Sequence, residues 1–121
     1  MEKMAKKILF IFLMICLVTN FLSAKEWYQG GNLHQSTFIT WRSASYENKL
    51  ATCADWLFSM KEWKEYISSG GSLENLKTKS KRLLNGLNEF CIDNDDVNHM
   101  KVNEIAALIY VMANDLQPYS K

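Results

Sequence analysis

Tyr46, Leu50, Cys53, Leu57 and Met60 follow one another in steps of four and three residues. That spacing places all five on one side of an α-helix. No stretch of the chain alternates with the period of two that a half-buried strand requires, so the chain must bury its apolar residues with helices. Four helical stretches are predicted. The first is short, about Ser36 to Ser43, with Ser36 or Thr37 as cap and Phe38 and Trp41 at helical spacing. The second is long, about Tyr46 to Ile67, capped by Ser45, with Trp56, Trp63 and Ile67 widening its apolar stripe. Gly70-Gly71 ends it. The third runs from about Leu73 to Ile92 behind Ser72, with Leu73, Leu76, Leu83, Leu87 and Phe90 on one face and Leu84 and Cys91 beside it. Lys77, Lys79, Lys81 and Arg82 mark its wet side. A polar connector leads to the fourth, which starts near Asn103 and reaches about Leu116, with Ile105, Leu108, Ile109, Met112 and Leu116 as its stripe and Pro118 as its stop. The expected fold is all-α, a small bundle of about four helices.

The first 24 residues have a different character. Lys3, Lys6 and Lys7 form a basic head, Ile8 to Val18 is an unbroken apolar run, and small residues end at Ser23 and Ala24. This is the plan of a secretory signal peptide, and the run is shorter than the roughly 20 apolar residues of a membrane span. Cleavage after Ala24 leaves residues 25–121 as a single helical domain in the periplasm or outside the cell, with no stable membrane insertion. Taking Lys3, Lys6, Lys7 and Glu2 from the fourteen basic and thirteen acidic residues leaves eleven and twelve, a net charge of −1. A surface so nearly neutral gives no electrostatic reason to expect nucleic acid as a partner.

Cys16 leaves with the signal, so Cys53 and Cys91 remain as an even pair in an oxidising compartment. One disulfide, Cys53–Cys91, is expected to clip the bundle by joining the second helix to the third; two free buried thiols are the alternative. Neither cysteine has a second Cys or His at zinc-ligand spacing, and no C-x-x-C occurs.

Three stretches are candidates for function. DNDDVNHMKVNE, residues 93–104, has the length of a calcium loop, with Asp93, Asp95 and Glu104 at its first, third and last positions. Val97 stands where a fifth-position oxygen is needed and Asn98 where glycine makes the sharp turn, so a solvated acidic connector is the simpler expectation. WYQGGNLH, residues 27–34, puts Trp27, Tyr28 and His34 beside a twin glycine. No carboxylate lies at a diagnostic distance from His34, and the expected role is a turn and a packing lid, with a contact surface as the alternative. Trp56, Phe58, Trp63 and Tyr66 give the second helix apolar residues on more than one face, which are either core or a surface for a partner. There is no nucleophile elbow, no H-E-x-x-H and no Cys–His pair with a free thiol, so neither an enzyme nor a cofactor is expected.

Two resemblances bear on these residues. The run GGNLHQSTFITWRSASYENKLATCADWL, and more faintly MKVNEIAALIYVMANDL, resembles segments of small uncharacterised secreted bacterial proteins. This implies an exported helical module. The export signal, the size of the helical domain and two cysteines, the first set among Thr52, Cys53, Asp55 and Trp56, are similar to the periplasmic acid-stress chaperones. That resemblance implies a disulfide, and a fold that acid loosens to expose apolar surface for unfolded clients. The expectation is a non-catalytic binding protein of the bacterial envelope, chaperone-like in one version. A dedicated inhibitor or immunity protein for one partner is the alternative, and a calcium or metal protein using residues 93–104 or His34 a further one.

Overall fold

The computed structural model describes residues 6–8 and 25–121; the rest of the expected signal segment, Cys16 included, lies outside the described residues. Among residues 25–121 five α-helices follow in order: α1 Phe38–Ser43, α2 Tyr46–Phe58, α3 Lys61–Ser68, α4 Leu73–Cys91 and α5 Val102–Met112. Single 3-10 turns lie at Asp95–Val97 and Asn114–Leu116. The class is all-α, and no strand occurs among the described residues. No described helix is long and apolar enough to cross a membrane.

The predicted caps at Ser45 and Ser72 form. Each side-chain oxygen accepts from the amide three residues on, Asn48 at 3.1 Å and Asn75 at 3.0 Å. The helix predicted from Tyr46 to Ile67 is instead two helices. In an unbroken helix of 3.6 residues per turn, Trp63 would sit about 120° round the axis from Leu57. The chain breaks at Ser59, whose hydroxyl donates back to the Trp56 carbonyl at 2.6 Å, and Met60 is extended. The new helix points Trp63 inward, where it is fully buried and its indole N–H donates to the Leu116 carbonyl at 3.0 Å. Gly70, at φ +91°, then closes α3: its amide bonds to Ile67 O and that of Gly71 to Tyr66 O, the paired bonds of a Schellman cap.

Helix α4 is the hub, packing against α2, α5 and the 3-10 turn after α5. Leu76, Leu83, Leu84 and Leu87 share the core with Leu50, Cys53 and Leu57 of α2 and Val102, Ile105 and Ala106 of α5. At the ends of α4 the expected stripe surfaces: Leu73 is exposed and Phe90 lies at the rim against Phe38. Lys79 departs from the predicted wet side and is buried. Its ammonium donates to Asp115 O at 2.6 Å, Ser120 Oγ at 2.9 Å and Ser120 O at 3.3 Å, which replaces the water it gives up. Asn75 reaches Pro118 O and Arg82 the Asp115 carboxylate, each at 2.8 Å, so one side of α4 clasps residues 115–120.

The expected disulfide is absent: Cys53 and Cys91 are both free, buried thiols. The Cys91 thiol turns onto its own helix, donating to Asn88 O at 3.5 Å. The end of α4 is fastened to α2 by an indole instead. Trp41 of α1 stacks on Trp56, with ring centroids 6.1 Å apart, and donates from Nε1 to Asn88 Oδ1 at 3.0 Å.

Helix α1 and helix α5 begin against each other. Neither Thr37 nor Lys101, their N-cap residues, forms a side-chain cap, and Asn103 lies inside α5 rather than capping it. Phe38 and Ile39 donate their amides to Met100 O and Asn98 O, and Val102 donates to Ser36 O, all within 3.0–3.1 Å. An antiparallel bridge pairs Thr37 with Lys101. Amides that open a helix need outside acceptors, and here each helix takes them from the approach to the other.

Candidate binding cleft

Residues 26–34 lie along α2. Glu26 and Gln29 close a turn, with Gln29 N–H donating to Glu26 O at 3.0 Å. Gly31 then passes so close to α2 that a Cβ would fall 2.6 Å from the Thr52 nitrogen, and only glycine fits. Asn32 and Asn48 exchange two bonds: Asn32 N–H donates to Asn48 Oδ1 at 2.9 Å, and Asn48 Nδ2 to Asn32 Oδ1 at 2.7 Å. Leu33 is buried, and its amide donates to Thr52 Oγ1 at 3.3 Å. Trp27 and Tyr28 meet edge to face at 5.4 Å, with the Lys77 ammonium 5.7 Å from the Trp27 ring centroid. The segment is a strap fixed to α2, and it carries Tyr28 to the rim of an opening.

That opening is a cleft of about 240 Å³ between the strap, α2 and the α3–α4 corner. Tyr28, Ala54, Phe58, Ile67, Leu73 and Leu76 supply apolar wall, and Asp55 is the acidic residue on it. Phe58 is 44% exposed and Leu73 46%, large apolar side chains left in water at its mouth. The structure brings His34 to Asp55, with Nε2 2.8 Å from Oδ2 and both side chains part-exposed. Trp56 supports the imidazole edge to face, at 6.2 Å between centroids. Of the six residues singled out as a contact surface, Tyr28 and Phe58 line the cleft and His34 reaches it through Asp55. Trp27 lies behind Tyr28, Trp56 is half-buried between Trp41 and His34, and Trp63 belongs to the core. The sequence reading missed Asp55 as the partner of His34, Ile67 and Leu73 as walls, and the use of Lys77. The partnership spans 21 residues and two elements, so no local spacing could disclose it.

The connector at 93–104 does not assemble as a calcium loop. Among the described residues no three His, Cys, Asp or Glu side chains converge as metal ligands, so Asp93, Asp95 and Glu104 do not form such a set. Val97 is buried and anchors the loop. The cation held there is Arg42, which donates from Nε to Asn98 Oδ1 at 2.8 Å and from Nη2 to Asn94 O at 2.7 Å.

Two further features lie outside the cleft. A cavity of about 60 Å³, room for a few waters at most, is walled by Trp56, Met60, Leu83, Asn103 and Tyr110. The buried Tyr110 hydroxyl donates to Glu62 Oε2 at 3.0 Å and has the Gln117 amide at 3.1 Å. Burial first, then the bond to Glu62 and its charge, push this phenol up to about 12. Helix α5 turns Leu108, Val111 and Met112 into solvent, so its expected stripe is only partly used; Ile105, Ala106 and Tyr110 are its buried side.

No protein-family model, no curated protein and no solved structure matches this chain.

Proposed function

We propose that this is an exported, non-catalytic binding protein of the bacterial envelope, and that its contact surface is the cleft of Tyr28, Phe58 and Leu73. The exposure of Phe58 and Leu73 around a formed apolar opening carries the proposal. Large apolar side chains held in water at a concave site cost free energy that covering them would recover. The segment before Trp27, with its basic head and apolar run, supports export. The cleft is bounded and has one acidic wall, which favours a defined protein partner, in the manner of an inhibitor or immunity protein, over the many clients of an acid-stress chaperone.

A photo-crosslinking residue at position 58, with position 81 on the exposed side of α4 as control, tests this in cells. One stoichiometric adduct at 58 and none at 81 is the expected outcome. Equal labelling at both positions removes the cleft as the contact surface. Suppression of client aggregation at about pH 3 but not at about pH 7, lost in Phe58→Ser, would select the chaperone version instead.

A further inference from the structure

We infer that the cleft takes one apolar side chain of a partner protein segment, aromatic or leucine-like, and that Asp55 pairs with a Lys or Arg beside it. This deepens the binding reading above and rests on it. Volume is the first argument. Sites for drug-sized molecules run from roughly 300 to 1,000 Å³. At about 240 Å³ this cleft suits a side chain better than a cofactor or a whole small molecule. Its walls from Ala54, Phe58, Ile67 and Leu76 match an apolar body.

Charge is the second argument. His34 occupies Oδ2 of Asp55, while the carboxylate, 46% exposed, has no other bonded partner among the described residues. His34 thus fixes the direction of a group that still has an oxygen to offer. A carboxylate at the edge of an apolar opening accepts from an ammonium or guanidinium and repels another carboxylate. The other charged groups nearby do not reverse this preference. The amides that open α4 would favour an anion, but Ser72 takes the Asn75 amide and Glu74 stands in the first turn. Lys77 is turned onto the Trp27 ring. A partner segment of the form apolar–basic therefore satisfies both the walls and the rim.

The protein, isotopically labelled for amide NMR, is titrated with acetyl-phenylalanyl-lysine amide and, separately, with acetyl-phenylalanyl-glutamate amide at millimolar concentrations. The lysine peptide is expected to shift the amides of Ala54, Asp55 and Leu76 and to bind roughly five-fold more tightly than the glutamate peptide. Asp55→Asn should erase that ratio, whereas His34→Gln, which leaves the carboxylate in place, should keep it. Equal affinities in the wild-type protein would overturn the charge selection and leave the apolar cleft standing as the contact surface. No shift at these amides with either peptide would overturn both.

Discussion

At the scale of single residues, the two sulfurs and one glycine are the most exposed to test. Cys53 and Cys91 are free and buried, so a thiol reagent should find neither in the folded protein and both after unfolding in denaturant. Cys53 and Cys91 both staying unlabelled in denaturant would restore the bridge. Burial pushes the Cys53 thiol up, and Tyr110 is pushed up to about 12. Each group keeps its proton in the native state at pH values where the unfolded chain has lost it. The stability they contribute is therefore whole below their unfolded values, near 8.5 and 10, and falls as pH rises beyond them. Urea midpoints should hold level up to about pH 8.5 and then decline, Cys53 first and Tyr110 between about 10 and 12; in Cys53→Ala the onset should move up towards the phenol. Gly31→Ala should cost about 1–3 kcal/mol in the same assay, because its methyl meets the α2 backbone, which cannot yield as a side chain can. It should also lift the strap and weaken whatever binds beside Tyr28.

At the scale of elements, periodicity located the helices and missed the break in the second and which side of α5 turns inward. Ser45, Ser72 and Gly70 are local signals and were readable. The break at Ser59 was not, because the residues on both sides have ordinary helix preferences and what decides it is the place Trp63 finds against Leu116. Helix α5 is apolar around most of its circumference, so its sequence could not say which side faces the core. Substitution separates the two sides. Leu108→Gln and Met112→Lys should each change stability by less than about 0.5 kcal/mol, whereas Ile105→Ala should cost about 2–4 kcal/mol by leaving a cavity against α4. Chemical denaturation of the three variants checks this.

At the scale of the whole molecule, contacts distant in sequence hold the bundle together and shape its cleft. The pairing of His34 with Asp55, the clasp of Lys79 on residues 115 and 120, and the Trp41 link to Asn88 join residues 21 to 47 apart. None leaves a trace in local spacing, and Lys79 reads as surface because neighbouring lysines are. Lys79→Ala should cost about 1–3 kcal/mol, since three acceptors lose a buried charged donor. In hydrogen exchange the loss should appear first as faster exchange of the Ser120 amide.

The interlaced starts of α1 and α5 set the order of events in the life of the chain. The residues of α1 emerge from a ribosome about sixty residues ahead of the carbonyls at 98 and 100 that their amides require. Until those arrive, the leading helix has no acceptors for its first turn and gains little by forming. A polypeptide built this way stays pliable while it is being made, and commits to its shape only once nearly all of it is available. The amides of Phe38, Ile39 and Val102 should accordingly become protected together.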